Sequence, residues 1–181
     1  MYWLRKDNIF VNLIIMSIAW IVTSYNFYLI VSMNSRFENF NIDGISLQIS
    51  EIAANASAVF LLEKFGPRRS LKIAFGISCI GGLMITLYGL QNQDSLSFLV
   101  QIMFAKFGIS CSFCIVYVIN VKIFPTLFAA TAFGFCNFIA RLMTMLSPLV
   151  GQLDQPTPMV SFIVTTAIAC VMSSFLREQD Y

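Results

Sequence analysis

Six apolar runs dominate this chain, and each is long enough to cross a lipid bilayer as a helix. Short polar segments separate the runs, which cover residues 9–33, 45–62, 71–90, 96–120, 126–149 and 159–176. About 20 apolar residues cross the ~30 Å hydrocarbon layer, and a helix satisfies its own backbone polar groups there. The pattern therefore predicts an all-α membrane protein in which one domain, residues 1–181, holds six transmembrane helices.

Composition excludes most other classes of protein. Only 11% of the 181 residues are charged, whereas soluble domains carry about 25%. The net charge of +2 is small and dispersed, so we expect no nucleic-acid partner. There is no histidine, and the five cysteines lie inside apolar runs, so we expect no metal site, disulfide or cofactor. No Gly-rich phosphate loop or paired nucleophile and base is present, and we do not expect an enzyme.

Lys and Arg are distributed unevenly between the two sides of the predicted bundle. Eight of them would lie on the side that holds both termini, against Arg36 alone on the other side. The eight are Arg5, Lys6, Lys64, Arg68, Arg69, Lys72, Lys122 and Arg177. Because basic residues concentrate in cytoplasmic loops, we expect both termini in the cytoplasm. The plasma membrane is favoured over the membrane of an organelle.

Three ionisable residues lie inside the predicted spans, namely Glu51 in the second, Lys106 in the fourth and Arg141 in the fifth. A charge at the centre of such a helix costs about 2.5–3.5 kcal/mol on insertion scales, so each needs a partner or water. Their positions predict a polar cavity between these three helices that all three residues face. Their charges sum to +1, so water, a cluster of carbonyl groups or an anionic ligand must satisfy the remaining positive charge. A purely structural Glu51–Lys106 pair is the alternative.

Two uncharged residues join these three as candidate substrate-binding residues. They are Asn55 in the second span and Tyr28 in the first. Residues such as Asn55 and Asn120 more often form hydrogen bonds between helices than contacts with a ligand. Tyr28 could equally anchor its helix at the membrane interface. The spacing of Cys111 and Cys114 matches a redox motif, but in a lipid-embedded helix we interpret them as small packing residues.

Four short segments carry a family pattern in the order 50–53, 63–69, 105–108 and 120–126. The first resembles an acidic residue followed by Ile-Pro, and the second resembles the loop Asp-Arg-x-Gly-Arg-Arg. The third resembles Gly-Arg-x-Gly, and the fourth resembles Asn-x-Glu-Leu-Tyr-Pro-Thr. Together they resemble the major facilitator superfamily, within its branch of organic cation and organic anion transporters.

The chain departs from this family pattern at several positions, which include conservative changes at Glu63 and Lys64 and the intrusion of Pro67. Ala53 replaces the proline, and Lys106 replaces an arginine, keeping its charge but losing the planar fork. Lys122 reverses the charge of the family's glutamate. Residues 136–148 resemble the family's eleventh helix, where Arg141 occupies a position that similarity suggests is acidic in cation carriers and basic in anion carriers.

The resemblance implies that the chain is half of a major facilitator superfamily fold, namely the C-terminal six of twelve helices in a 3+3 helix repeat. Such halves hold substrate between them near the bilayer midplane. The implied function is transport of small organic ions, leaning to organic anions, with the lipid bilayer and a second six-helix half as partners. That half could be another chain, a second copy or a missing N-terminal part. The alternative is a structural transmembrane subunit of a larger complex that has lost transport.

The resemblance also implies a gating role for a set of residues on the cytoplasmic side. These are Glu63, Lys64, Gly66, Arg68, Arg69 and Lys122. We expect Arg68 or Arg69 to reach an acidic group or the C-terminal end of a helix, where the partial charge is negative.

Overall fold

The computed structural model describes residues 2–34, 40–88 and 96–176, and within these ranges the chain is helical and contains no strand. The helices are α1 (Tyr2–Asn34), α2 (Phe40–Tyr88), α3 (Leu96–Ile123), α4 (Thr126–Thr144), α5 (Ser147–Gly151) and α6 (Thr157–Met172), followed by a 3-10 turn at Ser173–Phe175. Five of the described helical segments are long and apolar enough to cross a membrane. The all-α membrane class is confirmed.

Some of the residues discussed above fall outside what the structure describes. These are Arg36, Arg177, the end of the third predicted span at residue 90, and the side chains of Arg5 and Lys6.

α2 is divided by a sharp turn at Gly66 into two arms, residues 40–65 and 67–88. Gly66 has φ 76° and ψ 169°, a left-handed conformation that glycine adopts without a steric penalty. The hydroxyl of Ser70, beyond the turn, donates a hydrogen bond of 2.7 Å to the carbonyl oxygen of Leu61, before it. The two ends of the turn are thus held together.

Both arms of α2 pack against α3. Ser50 in the first arm donates a hydrogen bond of 2.8 Å to the carbonyl of Met103. Ser78 in the second arm donates one of 3.2 Å to the carbonyl of Ala105. Since residues 28 positions apart in α2 reach nearly the same level of α3, the arms lie side by side as a helical hairpin.

The second arm approaches α3 so closely that glycine is required in the interface. A Cβ atom added to Gly108 would lie 2.4 Å from the backbone nitrogen of Ser78. A Cβ atom added to Gly81 would lie 2.7 Å from the Cα atom of Ala105. Small residues let transmembrane helices pack backbone to backbone, which is a main source of their association in lipid.

The predicted fifth span, residues 126–149, is divided between α4 and α5. α4 ends at Thr144 and α5 begins at Ser147, with a turn at Met145 and Leu146. Pro148 supplies the physical reason, because it has no backbone N–H to donate to the carbonyl four residues earlier. The helix is therefore interrupted between Thr144 and Ser147.

α1 packs against α3, α4, α5 and α6, whereas α2 packs mainly against α3 and α6. Polar side chains connect α1 to α6. The amide of Asn26 donates a hydrogen bond of 2.9 Å to Thr166 and accepts one of 3.1 Å from Thr165. Asn26 is fully buried, so its polar atoms are satisfied inside the bundle rather than by water. α1 is thereby fixed in rotation, which determines where Phe27 and Tyr28 point.

Candidate functional site

A cavity of about 370 Å³ lies between α1, the first arm of α2 and α3. The helices contribute one, two and five residues respectively, namely Phe27, Glu51, Asn55, Ser110, Phe113, Cys114, Tyr117 and Val118. Most of the wall is aromatic or aliphatic, and a few polar groups converge on it. This combination is typical of small-molecule sites.

Glu51 and Lys106 form an ion pair at the edge of this cavity. The distance between Lys106 Nζ and Glu51 Oε2 is 3.1 Å. The Lys106 side chain is only 2% exposed, whereas that of Glu51 is 29% exposed. The same ammonium lies 4.3 Å from the centroid of the Phe27 ring, a favourable arrangement for a cation over an aromatic face. The carboxylate therefore lines the cavity while the ammonium lies behind it.

Arg141 is exposed on α4 and contacts Tyr28. Its Nη1 donates a hydrogen bond of 3.0 Å to the Tyr28 hydroxyl, and its Cζ lies 5.9 Å from the centroid of the same ring. The rings of Tyr28 and Phe27 are 5.6 Å apart, centroid to centroid. Arg141 is thus linked to the cavity wall through two neighbouring aromatic rings of α1.

The structure brings Glu51, Lys106 and Asn55 together and places Arg141 beside Tyr28. The cavity is lined by the first, second and fourth predicted spans, and not by the second, fourth and fifth as their charges suggested. The reason is that α1 packs against both α3 and α4, so its aromatic residues stand between Arg141 and the cavity. That all three charges face one substrate path stays a prediction.

An aromatic cluster backs the cavity wall. Trp20 is buried and lies edge-on to Tyr117, with ring centroids 4.6 Å apart, and to Phe113, at 6.1 Å. Phe133 of α4 packs against Trp20 at 5.4 Å and against Tyr117 at 5.6 Å. Such edge-to-face contacts favour a fixed arrangement of the rings. The wall is therefore held in place by side chains that do not themselves line the cavity.

Sequence reasoning missed the cavity residues of α3, although a signal for them exists. Ser110, Phe113 and Tyr117 follow Lys106 at intervals of four, three and four residues, so they lie on the same helix face. Any residue on the face of a buried intramembrane charge is a candidate for the same cavity. Ser110 is buried, and its hydroxyl oxygen has no hydrogen-bond partner among the described residues.

The turn between the two arms of α2 presents several charged residues. Glu63, Lys64 and Arg69 are exposed. The Lys64 ammonium lies 5.6 Å from the ring centroids of both Phe60 and Phe65. An exposed lysine beside apolar rings is typical of a side chain that extends toward the membrane interface.

Arg68 and Lys122 are both associated with the C-terminal ends of helices. Arg68 donates a hydrogen bond to the carbonyl of Ser174, in the 3-10 turn that follows α6. Lys122 is exposed in the last turn of α3. Positive side chains are stabilising at these ends because of the helix dipole. The expectation that Arg68 or Arg69 reaches a helix C-terminus is confirmed for Arg68.

The surroundings of Asn120 fit the structural alternative, a hydrogen bond between helices. Asn120 is buried and donates a hydrogen bond of 3.5 Å to the carbonyl of Ala129, across the break between α3 and α4. The five cysteines are free. Within the described ranges no cluster of three or more His, Cys, Asp or Glu residues could hold a metal ion.

Comparisons with known proteins find similarity to solute carriers. No protein-family model matches the chain. It is 27% identical over 93% of its length to solute carrier family 22 member 13 of Homo sapiens. It is 27% identical over 90% of its length to organic anion transporter 3 of Rattus norvegicus, and 26% identical over 97% to solute carrier family 22 member 21 of Mus musculus.

The chain spans about a third of the length of these relatives, namely 31%, 31% and 32%. Their names describe carriers and not enzymes, which agrees with the absence of catalytic motifs from the sequence. The match along almost the whole chain confirms the resemblance that its motifs carry: this protein is similar to the organic ion transporters of solute carrier family 22, within the major facilitator superfamily.

Proposed function

We propose that this chain is a six-helix half of a secondary transporter for small organic ions, leaning to organic anions. The observation that carries the proposal is the Glu51–Lys106 pair, an ion pair inside lipid-spanning helices that borders a cavity of substrate size. Ionisable residues in such helices are costly and commonly mark transport pathways. The resemblance to solute carrier family 22 supports the same function.

The length of α2 supports the proposal of six spans. Its 49 residues would extend about 70 Å as one straight helix, more than twice the ~30 Å hydrocarbon layer. The turn at Gly66 divides it into arms of suitable length for one crossing each. With α1, α3, the α4–α5 segment and α6, this makes six crossings, which fits the proposed 3+3 repeat.

The anion preference rests on Arg141. It is exposed, and it already holds a polar oxygen, that of Tyr28, in a hydrogen bond. A planar guanidinium suits a carboxylate with two parallel hydrogen bonds. We infer that the anionic group of a substrate binds Arg141 while its apolar part contacts the aromatic wall. The similarity to organic anion transporter 3 of Rattus norvegicus supports this preference.

A second six-helix half completes the carrier in this proposal. The chain spans about a third of its relatives' length, and transporters of this fold hold substrate between two halves. The second half would cover Arg141 and close the open side of the cavity. It is another chain, a second copy, or a further part of a longer protein.

The proposed orientation places both termini in the cytoplasm, with the plasma membrane as the membrane of residence. Eight Lys and Arg residues against one support the orientation. The exposed turn at Gly66 would then face the cytoplasm, where Glu63, Lys64, Arg68 and Arg69 could take part in gating together with Lys122. A cysteine in place of Arg69 should accordingly resist a membrane-impermeant thiol reagent applied from outside.

A structural subunit that has lost transport is the second candidate function. The specific observation that favours it is Lys122, which stands exposed at the end of α3 where the family pattern has a glutamate. In that case Glu51 and Lys106 would only stabilise the bundle.

Uptake by the complete assembly distinguishes the two. Vesicles that contain the assembly should accumulate a labelled aromatic carboxylate above the level of protein-free vesicles, and they should accumulate a labelled aromatic ammonium less well. Lys106→Arg should change uptake little, because it keeps the charge and alters only the donor geometry. No uptake of either tracer by the wild type would favour the structural subunit.

A further inference from the structure

The Glu51–Lys106 pair presents only one of its two charges to the cavity. From this asymmetry we infer that Glu51 is a selectivity-determining residue: it keeps the carboxylate of a ligand away from Lys106 and so determines which end of an organic anion enters the cavity. The inference rests on the proposed transport function, and it deepens that function by assigning an orientation to the substrate.

The geometry of the pair gives Glu51 this position. Lys106 Nζ is covered by Glu51 Oε2 at 3.1 Å and by the Phe27 ring at 4.3 Å, and its side chain is 2% exposed. Glu51 lines the cavity and is 29% exposed. A carboxylate that enters the cavity therefore meets a like charge before it can reach the ammonium. In surroundings of low dielectric constant this repulsion is stronger than in water.

The other polar groups of the cavity fit an uncharged or hydrogen-bond-donating group better than an anion. Ser110 has a buried hydroxyl oxygen without a hydrogen-bond partner among the described residues. Asn55 offers an exposed amide. With the carboxylate of Glu51 beside them, these groups suit a polar substituent on a ring. Phe27, Phe113 and Tyr117 supply aromatic surface for the ring itself.

The opposite end of the ligand then points toward Arg141. This guanidinium is exposed and contacts Tyr28, whose ring neighbours that of Phe27 in the cavity wall. An aromatic carboxylate would enter ring first, with its anionic group outside the cavity. Glu51 acts here as an element that disfavours the reverse orientation, and Arg141 as one that favours the correct orientation.

Neutralising Glu51 has opposite consequences under the two interpretations of the ion pair. If Glu51 keeps ligand carboxylates away from Lys106, then Glu51→Gln leaves a buried ammonium without a counter-ion. The carboxylate of a ligand can then act as the counter-ion. Affinity for anions then rises. If the pair is purely structural, the loss of one partner leaves an uncompensated buried charge and can only weaken the site.

Equilibrium binding to the full chain in detergent micelles tests the inference. The probes are benzoate and benzylammonium, which share a ring and differ in charge. The chain has two tryptophans, so Trp3→Phe makes Trp20 the only one. Trp20 contacts Phe113 and Tyr117, two residues of the cavity wall, and its fluorescence should report occupation of the cavity. We expect Glu51→Gln to bind benzoate at least about tenfold more tightly than the parent chain and benzylammonium more weakly.

Two further variants make the result specific. Asp154→Asn removes an exposed carboxylate from the turn between α5 and α6, outside the cavity, and should leave both affinities unchanged. Glu51→Gln combined with Lys106→Met removes both charges and should cancel the gain in benzoate binding. The inference is overturned if Glu51→Gln does not tighten benzoate binding, if both probes weaken together, or if the gain persists without Lys106. Because binding is read without transport, failure of uptake by the assembly would bear on the proposed function alone.

Discussion

Replacing Arg141 by aspartate should abolish uptake of organic anions by the complete assembly. The change converts the sum over Glu51, Lys106 and Arg141 from +1 to −1, so the region that attracted an anion now repels it. In the complete assembly the proposed second half covers Arg141, and loss of a charge partner in such a desolvated site costs about 2–5 kcal/mol, which corresponds to at least about a 30-fold loss of affinity. Paired uptake of anionic and cationic tracers, at matched expression, measures the effect.

Two milder changes at the same site provide the controls. Arg141→Lys keeps the charge and should retain part of the anion uptake, since only the planar fork is lost. Tyr28→Phe removes the hydroxyl that accepts the 3.0 Å hydrogen bond from Arg141 but keeps the ring, so it should have a smaller effect than Arg141→Asp. Because the summed charge becomes −1, cation uptake by Arg141→Asp can rise above that of the wild type. Unchanged anion uptake in that variant would exclude Arg141 from the mechanism.

Gly108→Ala should strongly destabilise the bundle, although it adds a single methyl group. The added Cβ atom would lie 2.4 Å from the backbone nitrogen and 2.7 Å from the Cα atom of Ser78. Backbone atoms cannot rotate away as a side chain can, so α3 and the second arm of α2 must separate. Overpacking of this kind costs about 1–3 kcal/mol or more. The separation should also disturb the cavity wall, because Ser110 follows two residues later.

Thermal unfolding in detergent micelles tests this prediction. The matched control is Gly76→Ala. Gly76 lies on the second arm of α2, the arm that Gly108 contacts, but a Cβ atom added to it would have no neighbour within 4 Å. The control should unfold at the same temperature as the wild type or higher, since alanine favours a helix by up to about 1 kcal/mol over glycine. Equal unfolding temperatures for Gly108→Ala and the control would contradict the close contact between the two helices.

The elements that sequence reasoning could predict are those with a strong local cause. The helices follow from long apolar runs. The turn in α2 follows from Gly66 and Pro67, which permit a left-handed conformation and remove a backbone donor. The pairing of Glu51 with Lys106, weighed as one alternative, follows from the cost of isolated charges in lipid. Pro148 is a similar local signal, because it predicts the break between α4 and α5.

The arrangement of helices around the cavity could not be predicted in the same way. In a membrane protein, lipid-facing and interior-facing positions are both apolar, so periodicity does not separate Phe27 or Phe113 from residues that face lipid. The position of Arg141 depends on the order of the helices around α1, which the spacing of charges does not determine. These features arise from contacts between distant parts of the chain, such as those of Asn26 with α6.

In the proposed carrier, the cavity beside Glu51 is part of a substrate path that is open to water. Cys114 lines this cavity, whereas Cys111, one helical turn earlier on α3, is fully buried. Variants in which Cys114 or Cys111 is the only one of the five cysteines that remains can be treated, in the complete assembly, with a water-soluble and with a lipid-soluble thiol reagent. Cys111 alone and a cysteine in place of Arg69 serve as the buried and the cytoplasmic control.

We expect the water-soluble reagent, applied to sealed cells from outside, to label Cys114 while leaving Cys111 and the cysteine at position 69 unmodified. A transported aromatic carboxylate should slow the labelling of Cys114, because the ring occupies the same cavity. The opposite result would be that Cys114 reacts only with the lipid-soluble reagent and that organic ions do not change the rate of this reaction. The cavity would then be a groove that faces lipid, and the proposed substrate path would be contradicted.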